Sequence, residues 1–377
     1  MRHLQSIEAR ASHLLADLCS IYTPAGEEAR LLPHLESAIE GLGGRMTRQD
    51  LGDGRVNLLA TWGSPRVLYN THLDVVPGEL PVAIKEDRIH GRGSIDAKGQ
   101  IVAQLCAIER LLAAGHDDLA WLGVAGEETD SEGARAALAL KPDLPGLKAI
   151  VVGEPTNLAL ATGQKGFVRI RLHCEGRSAH GGTPWLGENA IHSLCDWIVR
   201  IRALPVPPAG ELGIEVFNIG TISGGKAANV VPDHAEAELT LRQVPDGSLL
   251  AGIRASKPEN GRLEILLDEP WDRFTRLAGF RHSPVPFGSD LPTLRALAPD
   301  AAAILAGPGD PGLAHTPSES MGIGELVQGI DLFEALGRHF LCAVPQAATA
   351  PQAATVPQAA TAPQAPQAVS GQARKES

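Results

Sequence analysis

The 377-residue sequence has no long apolar run and only five cysteines. No stretch approaches the roughly 18 to 20 apolar residues of a membrane-spanning helix, so we expect no membrane partner. Residues 1–20 alternate polar and apolar side chains, a pattern typical of an amphipathic helix rather than of a signal peptide. The cysteines lack CxxC spacing and are odd in number, which argues against a disulfide framework. We therefore expect reduced thiols and a cytoplasmic protein.

An excess of positive charge is also absent. The sequence has 33 Lys and Arg against 44 Asp and Glu, a formal net charge of −11. This balance argues against general affinity for nucleic acid. Aromatic residues are missing from residues 344–377, which consist almost entirely of Pro, Gln, Ala and Thr and repeat the segment PQAAT. We expect this tail to be disordered because it cannot bury enough apolar surface to order itself.

Short apolar segments alternate with helical patterns over the rest of the chain. Residues 67–69, 119–124, 149–152 and 301–305 are predicted strands, and each leads into a polar segment. Apolar residues recur at helical spacing in residues 99–114 and in a closing helix that contains Leu326, Ile330, Phe333 and Leu336. This alternation favours an α/β fold.

The pattern changes between residues 162 and 269. Residues 168–172 and 236–241 alternate as half-buried strands do, and a helical segment at residues 189–204 lies between them. We therefore predict an inserted α+β domain with an antiparallel sheet at residues 162–269. The first domain is then discontinuous and comprises residues 1–161 and 270–343.

Side chains able to bind metal follow several predicted strands. In open α/β sheets, ligands bind outside the carboxyl ends of the strands. Two histidines and three carboxylates, one of them able to bridge, could hold two divalent ions about 3.5–4 Å apart. Imidazole and carboxylate ligands favour zinc, with cobalt or manganese as substitutes. The side chains in question are those of His72 with Asp74, Asp96, Glu127 with Glu128, Glu154 and His315.

The doublet Glu127-Glu128 is informative in itself. Adjacent carboxylates repel each other unless a cation or a proton separates their roles. If Glu128 binds a metal ion, Glu127 can accept a proton from a water molecule that the metal activates. Each of these residues alone is equally compatible with an ordinary loop, and the functional interpretation depends on their combination.

Four motifs in order resemble those of the M20 metallopeptidases and deacylases. They are HLDVVP from His72, GRGSIDAKG from Gly91, GEE from Gly126 and GEPT from Gly153. The resemblance covers about residues 1–342. It implies a three-layer αβα zinc-binding domain with an inserted dimerisation domain, and hence a homodimer.

The resemblance also implies a role for each motif residue. His72 and Glu154 would bind one zinc ion, Glu128 and His315 the other, and Asp96 would bridge both. Asp74 would orient the imidazole of His72, and Glu127 would act as general base and later as proton donor. Three further roles come from the same resemblance. His180, in SAHGG, would reach the active site of the partner subunit and stabilise the oxyanion, while Asn229 and Arg242 would contact the carboxylate of the substrate.

These roles predict a dinuclear zinc amidohydrolase that removes an acyl group from an N-acyl amino acid. Deacetylation of acetylornithine in arginine biosynthesis is the preferred activity. Only 21 residues separate Asp74 from Asp96, a short form that resembles the carrier-protein lysine and ornithine hydrolases. The same residues are also compatible with cleavage of succinyl-diaminopimelate, with an M20 dipeptidase or carboxypeptidase activity, and with a metal-free scaffold.

Overall fold

The computed structural model describes residues 7–342, so the predicted tail at residues 344–377 lies outside the described part of the chain. Helices alternate with strands along these residues. The α-helices are α1 (Ile7–Cys19), α2 (Leu32–Gly41), α3 (Lys98–Ala113), α4 (Glu132–Ala137), α5 (Ala190–Arg202), α6 (Leu249–Ala255), α7 (Leu291–Leu294) and α8 (Ile323–Cys342). Short 3₁₀ helices cover Glu28–Leu31, Leu138–Asp143, Pro184–Leu186 and Arg295–Leu297.

The strands of the described residues form four sheets. In the first half of the chain they are β1 (Arg45–Gly52), β2 (Arg55–Trp62), β3 (Val67–His72), β4 (Ala83–Lys85), β5 (Arg88–His90), β6 (Leu119–Val124), β7 (Ala149–Gly153) and β8 (Leu160–Gln164). In the second half they are β9 (Gly166–Glu175), β10 (Val216–Gly224), β11 (His234–Gln243), β12 (Gly261–Glu269), β13 (Asp272–Arg273), β14 (His282–Val285), β15 (Ala302–Ala306) and β16 (Ser320–Gly322).

The largest sheet has six strands in the order β1-β2-β6-β3-β7-β15. Its last four strands are parallel to one another, and β1 and β2 extend it as an antiparallel edge. Every residue of β3, β6 and β7 is buried, which explains why β6 and β7 are continuous apolar segments. The carboxyl ends of the parallel strands therefore meet at one edge of the sheet, where His72 lies opposite Val124.

Helices cover both faces of this sheet. On one face, α1, α2, α3 and α8 pack in a core that includes Leu15, Ile108 and Phe333. On the other face, α4 and α7 pack in a second core around Leu122 and Ile150. The three-layer α/β prediction is confirmed.

A second sheet is antiparallel, with the order β10-β11-β9-β12. In β9, the buried residues Val168, Ile170 and Leu172 alternate with more exposed polar ones, as the sequence pattern predicted. Helices α5 and α6 pack against the buried face, where Trp197 is fully buried. This sheet thus has a hydrophobic core of its own, and the exact boundaries of the inserted domain remain a prediction.

The predicted elements differ from the observed ones mainly at their ends. The helix predicted at residues 99–114 covers Lys98–Ala113, and the strand at 119–124 is Leu119–Val124. Strands β1 and β2 and the two small three-stranded sheets, β13-β8-β14 and β16-β5-β4, were not predicted from the sequence. Within residues 7–342, none of the helices has the length and apolar character needed to cross a membrane.

A substitution on central strand β6 tests the packing that supports the site. Leu122 is fully buried, whereas Leu267 on β12 is 38% exposed. We expect Leu122→Ala to lower the free energy of unfolding by about 2–5 kcal/mol, because it removes buried methyl groups and leaves a cavity. Leu267→Ala should cost only about 1 kcal/mol. Urea denaturation of both variants measures this difference, and equal losses would contradict the assigned core.

Candidate metal centre

His72 is the last residue of β3, and its imidazole is buried. Its Nδ1 lies 3.0 Å from the backbone carbonyl oxygen of Asp74. A carbonyl oxygen can only accept a hydrogen bond, so Nδ1 donates, and the lone pair of the neutral ring lies on Nε2. Burial lowers the pKa of His72, but hydrogen bonds with Asp74 and Asp96 outweigh it and raise that pKa well above its usual value.

Asp96 lies between the two candidate histidine ligands. Its Oδ1 is 2.9 Å from Nε2 of His72, and its Oδ2 is 3.1 Å from Nε2 of His315. Burial raises the pKa of Asp96, but the hydrogen bonds with His315 and His72 outweigh this and lower it. The carboxylate predicted to bridge two metal ions therefore joins the two imidazoles that would hold one ion each.

Glu128 and His315 meet on the other side of Asp96. Nε2 of His315 lies 2.8 Å from Oε1 of Glu128. Hydrogen bonds with Asp96 and Glu128 raise the pKa of His315 to about 10. The backbone of His315 has φ +65°, a left-handed conformation that costs about 1–3 kcal/mol in a residue other than glycine. The loop before α8 therefore holds this side chain at the cluster at some cost in backbone strain.

Glu154 contributes a further buried carboxylate, and Glu127 a partly buried one. Glu154 follows β7, and its Oε1 lies 3.9 Å from Nε2 of His72. Burial, with the negative charge of Asp96, raises the pKa of Glu154 well above its usual value. Burial also raises the pKa of Glu127, and the charge of His72 opposes that shift. Negative charge is thus crowded at this edge of the sheet.

The carboxylate of Asp74 connects two of the motifs. Its Oδ1 accepts a hydrogen bond from the backbone N–H of Glu127, and its Oδ2 accepts one from the N–H of Glu128, both at 3.1 Å. The same carboxylate lies 3.5 Å from Nδ1 of His72, farther than the backbone oxygen of Asp74. Asp74 therefore fixes the Glu127-Glu128 loop directly and contacts His72 mainly through its backbone.

Glu319 supports the site, although it was not predicted from the sequence. This buried carboxylate accepts hydrogen bonds from the backbone N–H groups of Ile95 and Asp96 at 3.1 and 3.3 Å. It also pairs with the buried Arg92, with 2.6 Å between Nη1 and Oε2. A single glutamate between two serines resembles an ordinary surface loop, so no local pattern could have identified it.

Asp290, immediately before α7, is another buried carboxylate near the cluster. Burial raises its pKa to about 6, the charge of His72 opposes that shift, and the negative charge of Asp74 adds to it. Asp290 thus increases the local excess of carboxylates.

The donor set fits a site for divalent metal ions. Ligand atoms of His72, Asp96 and Glu128 all lie within 4.8 Å of one another. His315 and Glu154 contact the same group. Two imidazoles among several buried carboxylates are the ligands that zinc and related ions prefer, and only added positive charge would allow all of these acids to ionise together.

His180, Asn229 and Arg242 lie on the second sheet and its loops. His180 is exposed, and its Nδ1 accepts a hydrogen bond from the N–H of Gly182 at 3.0 Å. The N–H of Gly181 donates to the carbonyl oxygen of Asn229 at 2.7 Å, so His180 and Asn229 lie close together. Within residues 7–342, no hydrogen bond or ion pair joins either residue to the metal cluster.

Arg242 is affected by the charge of a residue in the cluster. Its guanidinium carbon lies 4.4 Å from the centre of the Phe167 ring. Burial lowers the pKa of Arg242, and the charges of Glu269 and Glu127 act in the opposite direction. Arg242 is therefore a half-buried cation on which the charge of Glu127, the predicted general base, acts.

The fold and the clustered ligands define a metal-binding hydrolase. The chain belongs to the family described as peptidase family M20/M25/M40, which matches residues 68–339. It therefore belongs to a group of hydrolases that act on peptide and other amide bonds. A probable carboxypeptidase of Emericella nidulans is 31% identical over an alignment that covers 85% of this chain and 87% of the relative.

Solved structures of low sequence identity share the fold. An M20 family metallo-carboxypeptidase from Sulfolobus solfataricus superposes with a TM-score of 0.69 at 16% identity, over 90% of this chain and 100% of the other. The YXEP protein of Bacillus subtilis, described as a dinuclear metal-binding peptidase, gives a TM-score of 0.66 at 14% identity, over 90% and 99%. These likenesses confirm the predicted fold.

A variant of Glu319 tests how the Asp96 loop is held. We expect Glu319→Ala to lower the free energy of unfolding by about 3–5 kcal/mol, because it leaves Arg92 as an unpaired buried charge. Glu109→Ala is the matched control, since Glu109 pairs with Arg10 at the surface and should contribute only about 0–1 kcal/mol. Urea denaturation provides the comparison. The assignment is wrong if the two variants are equally stable.

Proposed function

We propose that this protein is a dinuclear metal-dependent hydrolase that cleaves the amide bond between an acyl group and a terminal amino acid with a free carboxylate. The observation that carries the proposal is the group of buried carboxylates around two imidazoles at the carboxyl edge of the sheet. The similarity to a probable carboxypeptidase supports a short peptide as the substrate, with its preceding residues as the acyl group.

We assign the ligands as the sequence motifs predict. His72 and Glu154 would hold one zinc ion, Glu128 and His315 the other, and Asp96 would contact both, with cobalt as a possible substitute. When bound, such ions polarise the scissile carbonyl group and lower the pKa of a water molecule. The short contacts of Asp96 with both histidines support its bridging position.

Glu127 is the proposed general base. Its carboxylate accepts a proton from the attacking water, and the same proton then passes to the departing nitrogen as the C–N bond breaks. Burial supports this role because it raises the pKa of Glu127 and makes the carboxylate a better proton acceptor. The hydrogen bonds from the Glu127 and Glu128 backbone to Asp74 hold the loop in place.

Arg242 and Asn229 are proposed to bind the carboxylate of the substrate. The half-buried guanidinium of Arg242 is held against Phe167 and supplies the positive charge. His180 is proposed to stabilise the oxyanion across a homodimer, in the active site of the partner subunit. Its exposure supports that role, because an exposed side chain is available to a second copy of the chain.

Acetylornithine deacetylation is the finer activity predicted from the motifs, and it uses the same chemistry with acetyl as the acyl group. The short segment between Asp74 and Asp96 supports a carrier-linked lysine or ornithine as a further candidate. The similarity to a probable carboxypeptidase favours peptides over both. Substrate selection is therefore the first property to measure.

A substrate panel tests the proposal. We expect cleavage of N-blocked dipeptides with a free C-terminal carboxylate and at least a tenfold lower kcat/KM for the matching C-terminal amides, because the amide removes the charge that Arg242 would bind. A tenfold change corresponds to about 1.4 kcal/mol. Chelation should abolish activity, and added zinc or cobalt should restore it.

The same panel should contain acetylornithine, acetyllysine and succinyl-diaminopimelate. Cleavage of acetylornithine without peptide cleavage would replace the peptide assignment by the deacetylase. Equal rates on carboxylates and amides, or full activity in the presence of chelator, would overturn the proposal.

The general-base assignment is tested by Glu127→Gln. We expect kcat to fall by about 10²–10⁴-fold, since the amide cannot accept the proton, while bound metal and KM change little. Glu132→Gln is the matched control, because Glu132 lies just beyond the same loop and pairs with Arg55 at 2.7 Å. Steady-state kinetics and metal analysis of both variants measure the difference in kcat and in bound metal. Near-normal turnover by Glu127→Gln would exclude Glu127 as the base.

A further inference from the structure

A second group of possible metal ligands lies outside the candidate active site. It is formed by His173 on β9 and by His234 and Glu236 on β11. Glu236 lies directly opposite His173 in the β9–β11 register, and His234 precedes Glu236 by two residues. All three side chains therefore project from the same face of the antiparallel sheet. This is the face opposite the hydrophobic core that α5 and α6 cover.

The distances within this group are close to those of a tetrahedral zinc site. Oε2 of Glu236 lies 3.6 Å from Nδ1 of His173 and 3.7 Å from Nε2 of His234. At ordinary zinc–ligand bond lengths, neighbouring ligand atoms of a tetrahedral ion are about 3.3 Å apart. One ligand atom from each of the three residues lies within 4.8 Å of the others. Small side-chain rotations would therefore bring three ligands to one ion.

A fourth residue, Glu264 on β12, orients His173. Oε2 of Glu264 lies 3.4 Å from Nε2 of His173. A carboxylate accepts the proton of Nε2, and this tautomer leaves the lone pair of Nδ1 directed to the side of Glu236. A carboxylate that binds the second nitrogen of a histidine is the usual support of a zinc-binding imidazole. Glu264 also lies 3.5 Å from Nη1 of Arg262, which balances part of its charge.

Glu236 has different ion-pair partners from Glu238, its neighbour on the same face of the sheet. Glu238 binds the guanidinium groups of Arg169 and Arg171, with contacts of 2.5 to 3.0 Å. Within residues 7–342, the ion-pair partners of Glu236 are the two histidines alone. Its other oxygen, Oε1, lies 3.4 Å from the hydroxyl group of Ser223. One oxygen of Glu236 thus faces two imidazoles at distances longer than those of hydrogen bonds. A cation between the three groups could bind all of them.

We propose that His173, His234 and Glu236 form a second metal site, for zinc, with Glu264 as the carboxylate that positions His173. His234 is 53% exposed, so an ion held by these residues would be accessible to solvent. The bound ion would connect β9 to β11 through side chains, in addition to their backbone hydrogen bonds.

Zinc binding to the full chain tests this site. Wild-type protein and His234→Ala are dialysed to equilibrium against buffered free zinc, and zinc per chain is measured by inductively coupled plasma mass spectrometry. We expect His234→Ala to hold one zinc ion fewer than the wild type. His13→Ala is the matched control, since His13 is exposed on α1, and it should equal the wild type.

Two further measurements separate this site from the active site. Glu264→Gln should weaken zinc binding at the sheet by about 10–100-fold without removing a ligand. His234→Ala should keep the hydrolytic activity of the wild type, and its zinc deficit should persist in a His72→Ala background. Equal zinc content in the wild type and His234→Ala would overturn the proposal, whatever the activity measurements show about the proposed function.

Discussion

Crowded negative charge at the carboxyl edge of the six-stranded sheet is the constraint on which the site depends. Asp96 and Glu154 are buried beside His72, where little water screens their charges, and the partly buried Glu127 adds a third carboxylate. Such a group is unstable if every acid ionises without a cation. Protons or bound metal ions must supply the missing positive charge, so the crowded carboxylates favour the binding of metal ions.

The fold holds this charge in place through carboxylates that are not themselves proposed ligands. Asp74 accepts two backbone hydrogen bonds from the loop after β6, and Glu319 accepts two from the loop before α3. Arg92 neutralises Glu319 in the interior. Each loop therefore enters the site with its backbone already fixed. This preorganisation limits how far the ligands can relax away from one another.

The two groups of histidines and carboxylates differ in burial, and their proposed roles differ accordingly. The proposed active-site group lies where buried parallel strands end, and burial there raises the pKa values of Glu127 and Glu154. The group at His173 and His234 lies on the polar face of an antiparallel sheet, where solvent screens its charges. Buried charge suits chemistry on a bound substrate, whereas a half-exposed site suits a link between strands.

The sequence by itself determined the α/β class, the alternating strand at residues 168–172 and the motif residues from His72 to Glu154. Side-chain periodicity and short motifs can be read from residues that lie close together in the chain. Only the tertiary structure decided that Asp74 binds the Glu127-Glu128 backbone and that Glu319 holds the Asp96 loop. It also brought His173 together with His234 and Glu236. These contacts join residues far apart in the chain, and no local pattern encodes which strands pair or which buried acid meets which backbone N–H.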